Sequence, residues 1–214
     1  MLWGVDLAGA ADDVEVTVPA ASHPSRVRGL RVRRADIPRA HRWRRRGLPV
    51  STGGATALRL AGLLDVDSAV VAVDQLCAAG AVDLATVRAL AKAARGPGSA
   101  RAREVSALAD GLAASPQETR LRLLIARSHV SMPVAQYPVR HGGRLVARVD
   151  FAWPERKIAL EYDGLWHGEP GQFAKDRRRL NLLREAGWQV IFVTAADMHD
   201  PELLLTRIAA AIIS

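Results

Sequence analysis

"RVDFAWPERKIALEYDGLWHG", residues 148–168, places Asp150, Glu161, Asp163 and His167 within eighteen positions, set into two short apolar runs. "RLVARVDF" (144–151) and "KIALEY" (157–162) read as strands joined around "AWPER". A turn about Glu155-Arg156 sets Asp150 opposite Glu161, and directly opposed side chains on one face have Cβ atoms about 5 Å apart. Glu161 and Asp163, two residues apart, project to the same face, while Leu160 and Tyr162 turn the other way into a core.

Three acids on one side of a hairpin repel each other unless a cation or a proton compensates. Oxygen-only ligation by two or three carboxylates is what Mg²⁺ prefers, and such an ion polarises a phosphodiester and acidifies a bound water. The competing reading is a surface network in which Arg144, Arg148 or Arg156 pairs with these acids. Glu118 stands three residues after Ser115 in "SPQE", which makes a capping box, yet a first-turn glutamate is also able to face the metal site. His167 lies in a polar, glycine-containing loop, where it titrates near neutrality and is placed to donate a proton to a phosphate. The run Lys175, Asp176, Arg177, Arg178, Arg179 opens the next helix. Its basic groups suit a nucleic-acid backbone, although Asp176 and Arg179 share a helix face and are spaced for a local ion pair.

Around this hairpin the order is readable. "SPQETRLRLLIAR" (115–127) is a helix with Ser115 as N-cap and Pro116 at its first position, and with Leu121, Leu124 and Ile125 on one face. A helix is expected over 172–187, closed by Gly187, then a short buried strand over 188–193. The last helix, over 201–213, takes Asp200 as N-cap. The α-β-β-α-β-α order, with one further short strand near 134–139, implies a mixed sheet whose last strand pairs in parallel. Upstream, "VEVTVPA" (14–20) and "RGLRVRRADI" (28–37) alternate as two strands of a small sheet. Helices follow over 55–64, 67–80 and 83–94, with Asp67 and Asp83 as N-caps and Gly80 and Gly96 at helix ends. "RGPGS" (95–99) is the clearest break, after which Ser99 caps a helical run to about Leu112. The expected organisation is a small α+β domain (1–98), a linker helix (99–114) and a C-terminal α/β domain (115–214).

The 214 residues, 49% apolar and 24% charged, suffice for a substantial hydrophobic core. No stretch has the eighteen or so apolar residues of a membrane span, and the start lacks the pattern of a signal peptide, so a cytoplasmic location and no membrane partner are expected. Cys77 is the single cysteine, which excludes an intrachain disulfide and a zinc cluster. The net charge is +8, and of the 30 basic residues only Lys92, Lys157 and Lys175 are lysine. Ten arginines and His41 fall in residues 26–46 against one acid, Asp36. Such a cluster, Arg44, Arg45 and Arg46 included, attracts phosphate backbones; otherwise it is a solvated, arginine-rich surface.

"VARVDFAWPERKIALEYDGLWHG" followed by "FAKDRRRLNLLREAGWQVIFVT" resembles an uncharacterised bacterial endonuclease-like family related to very-short-patch-repair (Vsr) endonucleases, within the PD-(D/E)XK nuclease superfamily. The "DGLWHG" loop, the "SPQETRLR" helix, the D…E-x-D strands, the D-x-x-R helix and the "GW-x-V" strand fall in the family's order over residues 115–212. The resemblance implies a restriction-endonuclease-like mixed sheet flanked by helices. It further implies a Mg²⁺- or Mn²⁺-dependent endonuclease acting on DNA in repair or defence, with Asp150 and Glu161 as metal-binding acids and Glu118 as a helper. The superfamily's usual lysine position holds Asp163 here, with His167 or Lys175 as candidate substitutes. Nuclease folds that have lost activity also exist as binding modules. Residues 14–113 are loosely similar to the C-terminal region of type IV abortive-infection antitoxins. In those a winged-helix segment comes first, and this chain begins too late to contain one, as expected of a short form or a missed upstream start. The alternatives are therefore an inactive DNA-binding or antitoxin-like regulator, or an interaction module for a protein encoded nearby.

Overall fold

Capping side chains mark where the helices begin. A computed structural model describes the chain except for residues 1, 6, 8–11, 24–25, 165–171 and 214, and except for the side chains of 172–174. The chain divides into two units, Met1–Gly111 and Leu112–Ser214.

In the first unit β1 (Val14–Val18) and β2 (Leu30–Arg34) pair in parallel. β3 (Arg42–Arg45) and β4 (Leu48–Ser51) form an antiparallel hairpin. Its turn residues Arg46 and Gly47 have φ of 50° and 78°, and positive φ at both central positions is what the favoured two-residue hairpin turn requires. Four helices follow: α1 (Gly53–Leu63), α2 (Val66–Ala78), α3 (Leu84–Ala93) and α4 (Ser99–Leu108). Asp83 caps α3 as expected, its carboxylate accepting from Thr86 N at 2.8 Å. Two caps differ from expectation. α2 starts two residues earlier, capped by Asp65, which accepts from Ser68 N at 3.0 Å, so Asp67 lies inside the first turn. α4 is preceded by Gly98 at φ 83°, and Ser99 is its first helical residue without a capping bond. The helix expected as a linker packs against α1, α2 and α3. Asp74 of α2, fully buried, accepts from Asp110 N and Gly111 N and ties down the chain beyond α4.

The second unit begins with α5 (Pro116–Ala126), then β5 (Val134–His141), β6 (Arg144–Trp153) and β7 (Ile158–Tyr162). α6 (Gln172–Glu185), β8 (Gln189–Val193) and α7 (Pro201–Ile213) complete it. The sheet order is β5-β6-β7-β8, antiparallel except for the parallel β7–β8 pair. This is a mixed α/β unit, with helices on both faces of the sheet. On one face Phe151, Trp153, Ile158, Leu160, Ile191 and Val193 pack with Leu121 and Ile125 of α5 and Leu204 and Ile208 of α7. On the other, Val139, Ala147, Val149, Ala152 and Ala159 pack with Leu183 of α6, with Ala186 just beyond it and with Trp188.

The β5–β6 ladder is irregular, with a register shift between Val139 and Arg140 and a break in alternation nearer the turn to β7. Val149 and Phe151, two residues apart, lie in opposite layers. The β5–β6 ladder passes from Ala135↔Phe151 to Tyr137↔Val149 without pairing Gln136 to Asp150. Gln136 has φ 49°, a left-handed conformation that costs a non-glycine residue on the order of 1 kcal/mol. The irregularity lies beside Asp150.

Candidate active site

β6 and β7 keep the expected register, Trp153 opposite Ile158, Ala152 opposite Ala159 and Phe151 opposite Leu160. The connection is a 3-10 turn over Pro154–Arg156, and Lys157 is left-handed at φ 52°. Past Leu160 a side chain takes over from the ladder: Asp150 Oδ2 accepts from the backbone N–H of Tyr162 at 2.9 Å. Tyr162 packs partly against the layer that contains Leu160, as the alternation of β7 requires.

The acid cluster forms where β6 and β7 part. Glu161 is 8% exposed and Glu118 is 6% exposed. Burial, then the negative charge of Glu118, push the Asp150 carboxyl up to about 6, against the Tyr162 N–H and the more distant Arg179 charge. Glu161 is also raised, first by burial, with Asp150 and Asp176 adding repulsion and Arg179 opposing them. The guanidinium of Arg179 donates to both Glu161 oxygens at 2.6 Å and to the Arg148 carbonyl at 2.8 Å. The expected network on Arg144, Arg148 or Arg156 is thus replaced, at Glu161, by an arginine from α6.

Glu118 reconciles roles that its position in the sequence sets against each other. Its N–H donates to Ser115 Oγ at 3.2 Å, while its Oε2 accepts from Ala114 N at 2.9 Å and from Gln136 Nε2 at 3.0 Å. The side chain therefore reaches back to the residue before the cap rather than to the Ser115 N–H of a reciprocal capping box, and the same rotamer holds the irregular strand residue and sets a negative charge near Asp150.

Asp163 is exposed, and its N–H donates to the Val193 carbonyl at 2.7 Å. His167 lies outside the described residues. Lys175, Arg177 and Arg178 are exposed on α6, whereas Arg179 turns inward. In the first unit Arg44 donates to the Gly47 carbonyl at 3.1 Å, Arg45 lies over the Trp3 ring at 4.9 Å, and Arg46 is exposed in the hairpin turn.

Among the described residues no group of three or more His, Cys, Asp or Glu side chains is arranged to hold a metal ion. The donors fit a sparser mode, in which Mg²⁺ takes one or two carboxylates and completes its shell with water and substrate oxygens. Asp150 and Glu161 are the carboxylates that would hold such an ion; burial raises both first, with repulsion from Glu118 added at Asp150 and from Asp150 and Asp176 at Glu161. Gln136, the Tyr162 N–H and the Arg148 carbonyl are participants that the sequence reading missed. Arg179, expected to hold a nucleic-acid backbone or to pair with Asp176, instead turns to Glu161: it precedes the buried Leu183 and Ala186 by four and seven residues, which puts it in register with the apolar side of the helix.

No family model matches the chain, and no solved structure matches it at significance. Two uncharacterized proteins of Mycobacterium tuberculosis, one from strain CDC 1551 / Oshkosh and one from strain ATCC 25618 / H37Rv, are each 39% identical to it over 111 residues. The match covers 50% of this chain and 41% of each relative, so the chain spans about two fifths of the length of the curated proteins it is similar to.

Proposed function

We propose that the second unit is a metal-dependent DNA endonuclease that hydrolyses phosphodiesters at Asp150 and Glu161. The observation that carries this reading is the cluster of buried Glu118 and Glu161 with half-buried Asp150, whose carboxyl is held up to about 6, at the parting of two strands. Strongly perturbed carboxyls gathered in one place mark functional sites more often than structural ones. A restriction-endonuclease-like architecture of PD-(D/E)XK type is the finer form of the observed mixed sheet, and the α-β-β-β-α-β-α order of the second unit supports it.

Mg²⁺ or Mn²⁺, when bound, would polarise the phosphodiester and lower the pKa of a coordinated water. The chain supplies the rest. The Tyr162 N–H fixes the Asp150 carboxylate, Arg179 orients Glu161, and burial together with the Glu118 charge keeps Asp150 poised to change charge just below neutrality. Lys175, Arg177 and Arg178 are exposed on the helix after the hairpin, as backbone-holding groups must be. Asp163 cannot supply the positive charge of the superfamily's lysine, and that role falls to Lys175 or His167. Purified protein with Mg²⁺ or Mn²⁺ is expected to nick or cut DNA, with Asp150→Ala and Glu161→Ala each at least ~100-fold slower, the scale of a lost electrostatic contributor. Equal rates for wild type and Asp150→Ala would sink the proposal.

One observation favours a second reading, an inactive nuclease fold acting as a DNA-binding or antitoxin-like regulator. Both Glu161 oxygens are already taken by Arg179. That reading expects metal-free, salt-sensitive DNA binding, indifferent to Asp150→Ala and weakened by charge removal at Arg44 and Arg46.

A further inference from the structure

The β3–β4 hairpin carries a feature that neither acids nor metal explain. Trp43 is 61% exposed on β3, and Arg39, Arg42 and Arg44 line the same open concavity around it. A two-stranded ribbon has no reason of stability to hold its largest side chain in water, since burying an aromatic ring is worth a few kcal/mol. Two of these arginines are also held in place. Arg42 Nε donates to the Ile37 carbonyl at 2.8 Å, and Arg44 Nη2 donates to the Gly47 carbonyl at 3.1 Å. A guanidinium has five N–H donors, so these bonds set the direction of each group and leave most donors outward. Asp36, the one acid in residues 26–46, is turned to Ala20 N at 3.2 Å and lines a different cavity.

A flat aromatic face among positioned cations is complementary to an unpaired nucleotide, whose base stacks on the ring while its phosphates meet the guanidinia. Duplex bases are already stacked on one another and present only their edges in the grooves. We propose that Trp43, with Arg39, Arg42 and Arg44, forms a binding platform for single-stranded nucleic acid. The platform lies in the first unit, needs no metal and does not rest on the hydrolytic reading of the second.

The test measures binding of the full chain in EDTA to a fluorescent pyrimidine-rich single-stranded DNA, its RNA counterpart and a duplex of the same length. Wild type is expected to bind the single strands more tightly than the duplex, and comparison of DNA with RNA identifies the preferred strand. Trp43→Ala is expected to weaken single-strand binding about tenfold or more, and Trp43→Phe by no more than about threefold, because stacking is the recognised chemistry. Removing the charge at Arg42 or Arg44 should flatten the dependence of log affinity on log salt by about 0.7 each. Strand addition should quench tryptophan emission less in Trp43→Phe than in wild type. Asp150→Ala should bind as wild type does, so loss of cleavage and loss of this platform are read separately. The proposal is overturned if no single strand binds, if Trp43→Ala and Trp43→Phe both bind as wild type, or if duplex is preferred. It is equally overturned if the Trp43 variants change only self-association or binding to anionic vesicles. Circular dichroism of the variants excludes loss by misfolding, and Trp43→Tyr restores binding if stacking is the cause.

Discussion

At the residue scale, the site combines one carboxyl that is costly to ionise with one that is neutralised by an arginine. For Asp150 the sign follows from linkage. Its pKa is raised in the folded chain, from an ordinary 3.8 to about 6, so the folded state holds the proton more tightly than the unfolded one. The stability this gives is complete below about pH 4 and is lost as pH rises through 6. Asp150→Asn, which keeps an oxygen for the Tyr162 N–H, should therefore stabilise the chain by roughly 2–3 kcal/mol at pH 8. The gain should shrink towards zero at pH 4 in urea titrations. A pH-independent difference would refute the assignment. Arg179 is tested by a double-mutant cycle. Arg179→Ala leaves Glu161 without its guanidinium and should cost on the order of 1–2 kcal/mol, discounted because the arginine is about one-third exposed. In a Glu161→Gln background most of that cost should disappear.

At the element scale, helix starts were legible where a capping side chain precedes an apolar period. Ser115, Asp83 and Asp200 all accept from a backbone N–H of the following turn. Asp65 and Asp67 show where that reasoning fails: Asp67 was expected to cap α2, and the helix uses Asp65, two residues earlier. Asp65→Ala should cost about 1 kcal/mol and Asp67→Ala much less, measured by chemical denaturation. Strand register was also legible, because a turn at Glu155-Arg156 leaves one alternation that buries Phe151 and Leu160 together. The break at Gln136 was not. A left-handed residue inside an otherwise alternating strand carries no mark in composition, and Glu118, eighteen residues upstream, holds its side chain.

At the scale of the whole molecule, the two units carry different chemistry: exposed arginines and an open tryptophan in the first, buried acids in the second. None of the described helices is long and apolar enough to cross a membrane. This separation predicts that association with DNA in EDTA weakens steeply with salt and is diminished by removing charge at Arg42, Arg44 and Arg46 together. Cleavage at saturating enzyme should instead depend on Asp150 and Glu161. Competition assays across salt, run beside single-turnover cleavage, check both.

Period, caps and turn chemistry act within a few residues, and so the α/β order, the mixed sheet and the hairpin register as far as Phe151 opposite Leu160 were legible in the chain. The sequence left open which cation answers the acids, because that depends on groups brought together from distant positions. Folding in three dimensions put Arg179, rather than a hairpin arginine, on Glu161, left Asp163 exposed, and set the Glu118 carboxylate against Ala114 N and Gln136 while it charges the site. The physical reason is the range of the forces. Backbone preferences are set by neighbours in the chain, whereas burial and charge are set by neighbours in space.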